Sequence, residues 1–305
     1  MSAEELNITL SDLTPEQIDE LSSYGYVPTG WICILFLVLF GITTAAHTVQ
    51  AVVWRTWWIF PTAFLCGALE CLGWAGRFWS NRNILADDPY MIQIVTTIIA
   101  PTPLLAANFI IMGRLVRRLG ESYSRLGPRL YTIVFCSCDV ISLVVQGAGG
   151  GIAASADDHD GAEMGGRIML GGIAFQLAVI VLFTLFALEF FWRYFHDRPH
   201  PKKAAASSSS TLTPQRGTLT MHLKLIIVCL GVSTVLLCIR AVYRTIELAD
   251  GWNGEIITTE LWFNVFDAAM IVVAMYIVNA LHPGWLLRDP PAPDPAKPYE
   301  YSAVA

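Results

Sequence analysis

Residues 135–151 read FCSCDVISLVVQGAGGG, and this stretch decides how the chain folds. It lies in an apolar run at 130–152, which is long enough to cross a membrane because about 20 helical residues span a hydrocarbon core of ~30 Å. Asp139, Gln146 and Gly149 follow at intervals of seven and three residues, so they share one helical face. An ionisable side chain at the centre of a membrane helix costs at least ~2.5 kcal/mol, so this face must contact protein or water. The stretch predicts a bundle of membrane helices with a polar interior.

The composition of the whole chain agrees with a membrane protein. Hydrophobic residues make up 54% of the 305 residues and charged residues 14%, with a mean hydropathy of +0.52, whereas about a quarter of the residues of a soluble domain are charged. The alternating segments of a membrane β-barrel do not occur. We therefore predict an all-α membrane protein, a bundle of seven transmembrane helices, with no nucleic-acid partner. The predicted spans are 29–49, 57–78, 91–116, 130–152, 168–192, 222–243 and 260–281.

Lysine and arginine are distributed unevenly between the two sides of this bundle. If the N-terminus lies outside the cell, 14 of the 19 basic residues fall on the cytoplasmic side. Basic residues are retained in the cytoplasm during insertion, so we predict an N-terminus outside and a cytoplasmic C-terminus. Residues 1–26 contain six acids and no lysine or arginine, and we expect no cleavable signal peptide.

Three segments outside the spans are distinguished by their composition. Residues 1–28 are predicted to form an extracellular tail with a short amphipathic helix, and Asn7 lies in the only glycosylation sequence of the chain. The transmembrane domain occupies 29–284 and contains a low-complexity cytoplasmic linker at 199–217. Residues 285–305 are rich in proline and are predicted to be a disordered cytoplasmic tail.

Five charged residues lie inside or at the edge of three predicted spans. Arg240, Arg244 and Glu247 form one stripe at the end of span six. Glu70 in span two and Asp267 in span seven are estimated to lie at a similar depth. We expect Arg244 at the outer interface, whereas Arg240 is a turn deeper and needs an anion, either Glu70 or Asp267. A structural ion pair and a substrate-binding site are both open interpretations of this set.

Asp139 is the acid for which the sequence offers no basic partner. It lies ~14 Å from the start of span four, close to the middle of the membrane. One interpretation is a hydrogen bond that holds helices together, and the other is a site that binds a proton or a cation. We consider Asp139 the strongest functional candidate. The predicted substrate-binding residues are Glu70, Asp139, Gln146, Gln176, Arg240, Arg244 and Asp267.

A second set of residues is predicted to have structural or gating roles. Pro101 and Pro103 free backbone carbonyls and should kink span three, either as a fixed bend or as a hinge. His47 and His282 lie at the cytoplasmic ends of spans one and seven, and we interpret them as helix-end residues rather than as haem or metal ligands. The full set is Arg77, Pro101, Pro103, Glu247, His47 and His282.

The sequence contains no motif that predicts enzymatic chemistry. It lacks a phosphate-binding or dinucleotide-binding glycine motif, a serine nucleophile elbow and a group of three histidines suited to zinc. All seven cysteines fall within predicted spans, where free cysteine behaves as a small hydrophobic residue. We therefore predict a protein that is not an enzyme and that has no cofactor or metal.

A series of short motifs between residues 24 and 288 resembles the fungal RTA-like family, also called the lipid-translocating exporters. Their order and their position on seven spans make the resemblance more specific than any one motif. The chain departs from the family pattern near Trp74 and Phe109, where aromatic hydroxyls are expected, and near Asn264, where an aromatic residue is expected, so the wall of the supposed pocket differs. The motifs are GYVP at 25–28, His47, ECLGWAGR at 70–77, AP at 100–101, AA at 106–107, GR at 113–114, DVISL at 139–143, Gln146, GGG at 149–151, Gly172, Gln176, IRAVYRTIE at 239–247, Glu260, FD at 266–267, Met270 and HPG at 282–284.

The resemblance implies a multi-pass protein of the fungal plasma membrane that transports amphipathic lipids. Family members are implicated in translocation or export of sphingoid long-chain bases, in tolerance of toxic amphiphiles and, in one branch, in porphyrin or haem traffic. The implied partners are membrane lipids and an amphipathic lipid or drug substrate, and the oligomeric state is left open. A seven-helix lipid-sensing receptor or regulator is the alternative, ahead of an intramembrane enzyme.

Overall fold

The computed structural model of the chain describes residues 22–84, 86–156, 158–201, 216–251 and 254–288. Seven of its helical stretches are long and apolar enough to cross a membrane, and the described residues contain no strand. The predicted all-α architecture of seven spans is confirmed, and the chain is a multi-pass membrane protein. The spans, numbered one to seven, are Gly30–Val53, Trp57–Arg82, Asp88–Leu119, Pro128–Ala153, Asp160–Phe195, Met221–Ala249 and Glu260–Leu286.

Most spans extend past the predicted apolar runs. Span five begins at 160 rather than 168, and span six continues to 249 rather than 243. Hydropathy marks the hydrocarbon core, whereas backbone hydrogen bonds and caps set the helix ends. The Asp158 side chain, for example, accepts a hydrogen bond from Gly161 N at 3.1 Å and caps the helix of span five.

Three spans are not continuous α-helices. Span three is interrupted at Ala100, where Pro101 and Pro103 lack the N–H groups that would continue the helical hydrogen bonds. Spans two and seven contain π-helical segments, Phe60–Phe64 and Asn264–Ala269, which are frequent at functional sites. The α-helices are Gly30–Val53, Leu65–Arg82, Asp87–Ile99, Pro101–Leu119, Pro128–Ser155, His159–Phe195, Met221–Ala249, Glu260–Phe263, Met270–Ala280 and Pro283–Leu286, with 3-10 turns at Trp57–Ile59 and Glu121–Tyr123.

The first and the last span are in contact near both ends of the bundle. We call the end that carries residues 22–29 the N-side and the opposite end the C-side. On the N-side, Thr29 Oγ1 donates to Glu260 Oε2 at 2.6 Å. Towards the C-side, Gln50 Nε2 donates to the Asn279 carbonyl at 3.0 Å. Span seven therefore closes the bundle against span one, while the side that faces the cytoplasm stays a prediction.

Glycine residues bring helix backbones together beside the buried polar groups. A Cβ at Gly73 of span two would lie 2.7 Å from Thr96 Oγ1 of span three. A Cβ at Gly149 would lie 2.7 Å from the Gly165 carbonyl, which shows how closely spans four and five approach. Small residues permit such contacts in membrane helices. These glycines fix the distance between the helices that carry the candidate site residues.

Several predicted features lie outside the described residues. They are the amphipathic helix of the tail 1–28, the glycosylation site Asn7, most of the linker 199–217 and the C-terminal tail from 289 onward.

Candidate functional site

Asp267 binds two arginines inside the bundle. Arg244 donates from Nε and Nη2 to the two carboxylate oxygens of Asp267, at 3.0 Å each. Arg240 Nε lies 2.7 Å from Asp267 Oδ1. Of the two anions predicted for Arg240, the structure therefore selects Asp267. Arg244 is only 6% exposed, so its guanidinium is buried within the bundle, while its position at the outer interface stays a prediction.

Glu247 completes this group of charges. Arg244 Nη1 donates to Glu247 Oε2 at 2.8 Å, and Tyr243 OH donates to Glu247 Oε1 at 2.7 Å. Both side chains are buried. We call Arg240, Arg244, Glu247 and Asp267 the paired cluster, because each charge in it has an opposite charge in contact.

The interruption of span three supplies this cluster with a further acceptor. Pro101 has no N–H, so the Thr97 carbonyl, four residues earlier, lacks its helical donor. Arg240 Nη2 donates to that carbonyl at 2.7 Å, and Arg244 Nη2 donates to Thr97 Oγ1 at 3.3 Å. The carbonyl freed by a proline is thus used to bind an arginine, a partner that the sequence did not indicate.

Glu70 is the acid beside the paired cluster that has no partner of its own. It is 0% exposed, and neither carboxylate oxygen accepts a hydrogen bond. Its charged neighbours are Asp267, Arg240 and Arg244. Trp74 lies one turn along the same helix, and its indole Nε1 is a donor next to the Glu70 carboxylate, although the two form no hydrogen bond of good geometry.

Arg77 lies in a separate site on the N-side, enclosed by aromatic rings. Its guanidinium lies 4.9 Å from the Tyr24 ring centre and 4.7 Å from that of Phe263. Its Nη2 donates to Tyr26 OH at 2.5 Å and lies 3.4 Å from Glu260 Oε1. Burial raises the pKa of the Tyr26 hydroxyl, although the charge of Arg77 opposes this shift. The sequence marked Arg77 as structural but gave no sign of the tyrosines as its partners.

Asp139 belongs to a second polar group, in spans three, four and five. Its Oδ1 accepts from Gln176 Nε2 at 2.7 Å, whereas Oδ2 is buried without a partner. Gln146 Nε2 donates to Gln176 Oε1 at 3.1 Å and to Ser142 Oγ at 2.7 Å. Gln176 Nε2 also donates to Thr102 Oγ1 at 3.2 Å. We call Asp139, Ser142, Gln146 and Gln176 the Asp139 network, in which no described basic residue pairs with the acid.

A cavity of about 320 Å³ lies beside this network, between spans three, four and five. Its wall is almost entirely apolar, and Gln146 is one of the few polar residues that line it. Gln146 therefore connects the cavity to Asp139 by way of Gln176. The apolar wall includes Ile94, Ile98, Leu143, Gly147, Gly150 and Met169.

A recess of about 20 Å³ shares Ile94, Ile98 and Met169 with this cavity and is also lined by Arg244 and Glu247. The helix Asp87–Ile99 thus borders both polar groups, because its residues line the cavity and the recess. Among the predicted substrate-binding residues, Gln146 and Arg244 line these spaces. Glu70, Asp139, Gln176, Arg240 and Asp267 line neither of them.

His47 and His282 lie together at the C-side, with ring centres 6.3 Å apart. His282 Nδ1 accepts from Gly284 N at 3.0 Å and caps the helix Pro283–Leu286. A metal-bound histidine donates a proton from its second ring nitrogen, which a histidine with an accepting Nδ1 cannot do while Nε2 binds metal. The geometry favours the helix-end interpretation, and no group of three metal-ligating side chains occurs in the described part of the chain.

The fold and the site define a class of protein, a seven-span membrane protein with buried acids beside an apolar cavity. The chain belongs to the RTA1-like family, because the family described as "RTA1 like protein" matches residues 63–290. It is 29% identical to the sphingoid long-chain base transporter RSB1 of Saccharomyces cerevisiae (strain JAY291), over 96% of this chain and 82% of that protein.

Two further yeast relatives are more distant. Protein RTM1 of Saccharomyces cerevisiae is 26% identical, over 85% of this chain and 90% of the relative. Protein RTA1 of Saccharomyces cerevisiae (strain ATCC 204508 / S288c) is 25% identical, over 85% of each chain. No solved structure matches the chain.

Proposed function

We propose that this protein binds amphipathic lipids, such as sphingoid long-chain bases, and toxic amphiphiles, and moves them across the plasma membrane, so that the cell tolerates them. The observation that carries the proposal is the free Oδ2 of Asp139, which is buried and connected through Gln176 and Gln146 to the apolar cavity. The similarity to a protein named as a sphingoid long-chain base transporter supports the same function.

The chemistry of the site matches the parts of such a molecule. A protonated amine can donate to Asp139 Oδ2, and a charge-assisted hydrogen bond contributes about 1.5–3 kcal/mol. The carboxamides of Gln146 and Gln176 can bind hydroxyl groups next to the amine. The alkyl chain is then left to the apolar wall of the cavity, where each buried methylene contributes about 0.8 kcal/mol.

Binding at this site requires a small rearrangement in the network. Asp139 accepts one hydrogen bond from Gln176 Nε2, which also donates to Thr102. An amine that reaches Asp139 takes the free oxygen and leaves the Gln176 bond in place. Gln146 stands between the cavity and Gln176, so rotation of its side chain opens the path from the apolar wall to the acid.

We assign a structural role to the paired cluster and to Arg77. The charges of Arg240, Arg244 and Asp267 satisfy one another, and removing one partner of a buried pair is strongly destabilising. Arg77 binds the segment before span one to span seven through Tyr26 and Glu260. These residues join spans two, three, six and seven, and the proposal contains no catalytic step.

Translocation in liposomes tests this function. The purified protein is reconstituted, and the movement of a fluorescent sphingoid base is compared with that of its N-acetylated analogue, which has no cationic amine. We expect the wild-type protein to move the amine in preference to the analogue. Asp139→Asn preserves the size and the Gln176 contact, and it should slow amine movement at least ~10-fold, since ~1.4 kcal/mol corresponds to a factor of ten.

The matched control is Asp160→Asn, which removes an exposed acid at the start of span five. It should leave the rate unchanged. Movement no faster than in protein-free liposomes, or equal rates for wild type and Asp139→Asn, contradicts the proposal. In cells, fluorescence microscopy tests the plasma-membrane location, and growth on sphingoid bases tests tolerance.

A further inference from the structure

We propose that Glu70 is a reversible proton site, and that its ionisation transfers Arg240 from Asp267 to Glu70 and so moves one wall of the cavity. The proton site is a property of the folded protein and does not depend on the proposed function. Only a role of this site in lipid transport rests on that function.

The surroundings of Glu70 favour its neutral form in the arrangement that the structure shows. The side chain is 0% exposed and accepts no hydrogen bond of good geometry, although the Trp74 indole is a donor next to it, and an unpaired buried carboxylate is very unfavourable. The titratable and charged groups that face it are Cys66 and Cys71 on its own helix, Arg240 and Arg244 on span six, and Asp267 on span seven. Both arginines already bind Asp267.

The charges of the site balance only while Glu70 carries a proton. The paired cluster contains two arginines and two carboxylates, and its net charge is zero. When Glu70 releases its proton to water, a third carboxylate appears beside two arginines. One arginine must then be shared or exchanged.

Arg240 is the arginine that can leave Asp267 without leaving that acid unpaired. Arg244 binds both oxygens of Asp267 and keeps this bidentate pair when Arg240 moves. Arg240 Nε lies 2.7 Å from Asp267 Oδ1 but makes no hydrogen bond of good geometry with it. Arg244, in contrast, is also fixed by Glu247.

Arg240 connects this exchange to the cavity. Its Nη2 binds the Thr97 carbonyl, which is free because Pro101 follows four residues later. Thr97 belongs to the helix Asp87–Ile99, which contributes Ile94 and Ile98 to the cavity wall. A shift of the guanidinium towards Glu70 therefore pulls on, or releases, the last turn of that helix. A proton at Glu70 and a ligand in the cavity are thereby coupled.

Infrared difference spectroscopy on the purified full-length protein tests the proton site directly. We expect a carbonyl stretching band of a protonated carboxylic acid that disappears as the pH rises. Glu70→Gln should lack this band, and Asp139→Asn, the matched control, should retain it. A band that is identical in wild type and Glu70→Gln overturns the proposal. If Glu70→Gln does not fold, Glu70→Asp should keep a titrating band at a different frequency, and an unchanged band is equally decisive against Glu70.

Ligand binding at two pH values tests the coupling. We expect the affinity of the wild-type protein for a fluorescent sphingoid base to change with pH by more than the affinity of Glu70→Gln. Pro101→Ala restores an N–H group opposite the Thr97 carbonyl, so it should weaken the coupling while the Glu70 band persists. Equal pH dependence in all three proteins contradicts the coupling. A titrating Glu70 band in a protein that moves no lipid leaves the proton site intact and refutes the transport function alone.

Discussion

The paired cluster and the Asp139 network are both buried and polar, but they differ in how their charges are satisfied. In the paired cluster, Asp267 contacts Arg240 and Arg244. Glu247 contacts Arg244 and accepts a hydrogen bond from the hydroxyl of Tyr243. In the Asp139 network, the acid has amide neighbours and one free oxygen. A site that is fully satisfied by the protein holds helices together, whereas a site with a free acceptor has capacity for a ligand.

Both groups lie close to empty space. The Asp139 network reaches the cavity of about 320 Å³ through Gln146. The paired cluster borders a recess of about 20 Å³ at Arg244 and Glu247, and Tyr243, which donates to Glu247, lines a second cavity of about 560 Å³. Burial alone would rank both as functional candidates, so the presence of a free polar atom beside a cavity is the more selective criterion.

Removal of one arginine from the paired cluster should have the largest effect on stability. Arg244→Ala leaves Asp267 and Glu247 short of a partner, and breaking a buried pair costs about 3–5 kcal/mol. Arg167→Ala is the matched control, because Arg167 pairs with Glu163 at an exposed position, where such pairs contribute about 0–1 kcal/mol. Unfolding in detergent measures both. Similar losses for the two variants would show that the cluster is not structural.

Removal of Gln176, the donor to Asp139, should have an intermediate effect on the free energy of unfolding. Gln176→Leu leaves both oxygens of Asp139 without a donor, and an unsatisfied buried group costs about 1–3 kcal/mol. The double variant Asp139→Leu/Gln176→Leu removes both partners and should be closer to wild type in stability, although it should bind no amine. A double-mutant cycle in the same unfolding assay checks this order. A double variant less stable than Gln176→Leu disagrees with the expectation.

A larger side chain in the cavity should change ligand selection while it changes stability little. Gly147 lines the cavity, and a Cβ there meets no atom within 4 Å. Gly147→Leu should therefore shift the preferred ligand to shorter alkyl chains, at about 0.8 kcal/mol for each methylene that is excluded. Competition binding with a series of chain lengths measures the shift. Gly41→Leu, which is also unobstructed and lies in span one, is the control and should leave the series unchanged.

The smallest effect is expected at the C-side, away from both polar groups. Tyr123 OH donates to Asp197 Oδ1, and burial together with this bond raises the pKa of Tyr123 from 10.0 to about 12. The neutral phenol is therefore favoured in the folded state, and this stabilisation is complete below pH 10 and is lost as the pH rises towards 12. At neutral pH, Tyr123→Phe should lower the free energy of unfolding by about 1 kcal/mol. Above pH 10, the free energy of unfolding of the variant should fall less steeply with pH than that of the wild type. Unfolding measured over this pH range checks both, and equal slopes for the two proteins would contradict the assignment.

The sequence was sufficient for the architecture, because an apolar run of the right length has few alternatives in a membrane. It also placed Asp139 and Gln146 on one face and paired Arg240 with one of two acids. Asp267, which Arg240 contacts rather than Glu70, lies in the π-helical segment Asn264–Ala269. No local composition marks such a segment, so the pairing required the structure.

Backbone acceptors and distant tyrosines were the parts of the site that the sequence could not supply. Pro101 predicted that a carbonyl would be free, but it could not indicate that Arg240 would bind it. Tyr26 and Glu260 are more than two hundred residues apart and meet at Arg77 only because span seven packs against span one. Hydropathy carries no information on helix neighbours, which are set by packing between spans.

The aromatic enclosure of Arg77 has a consequence for the order of biosynthesis. Arg77 is made about 180 residues before Glu260, which corresponds to an interval of about 10–40 s at ordinary rates of translation. During that interval Tyr24 and Tyr26 have been made but Glu260 has not. The arrival of span seven supplies the missing anion and joins the segment before span one to span seven. The charge of Arg77 is therefore paired only once span seven has been inserted.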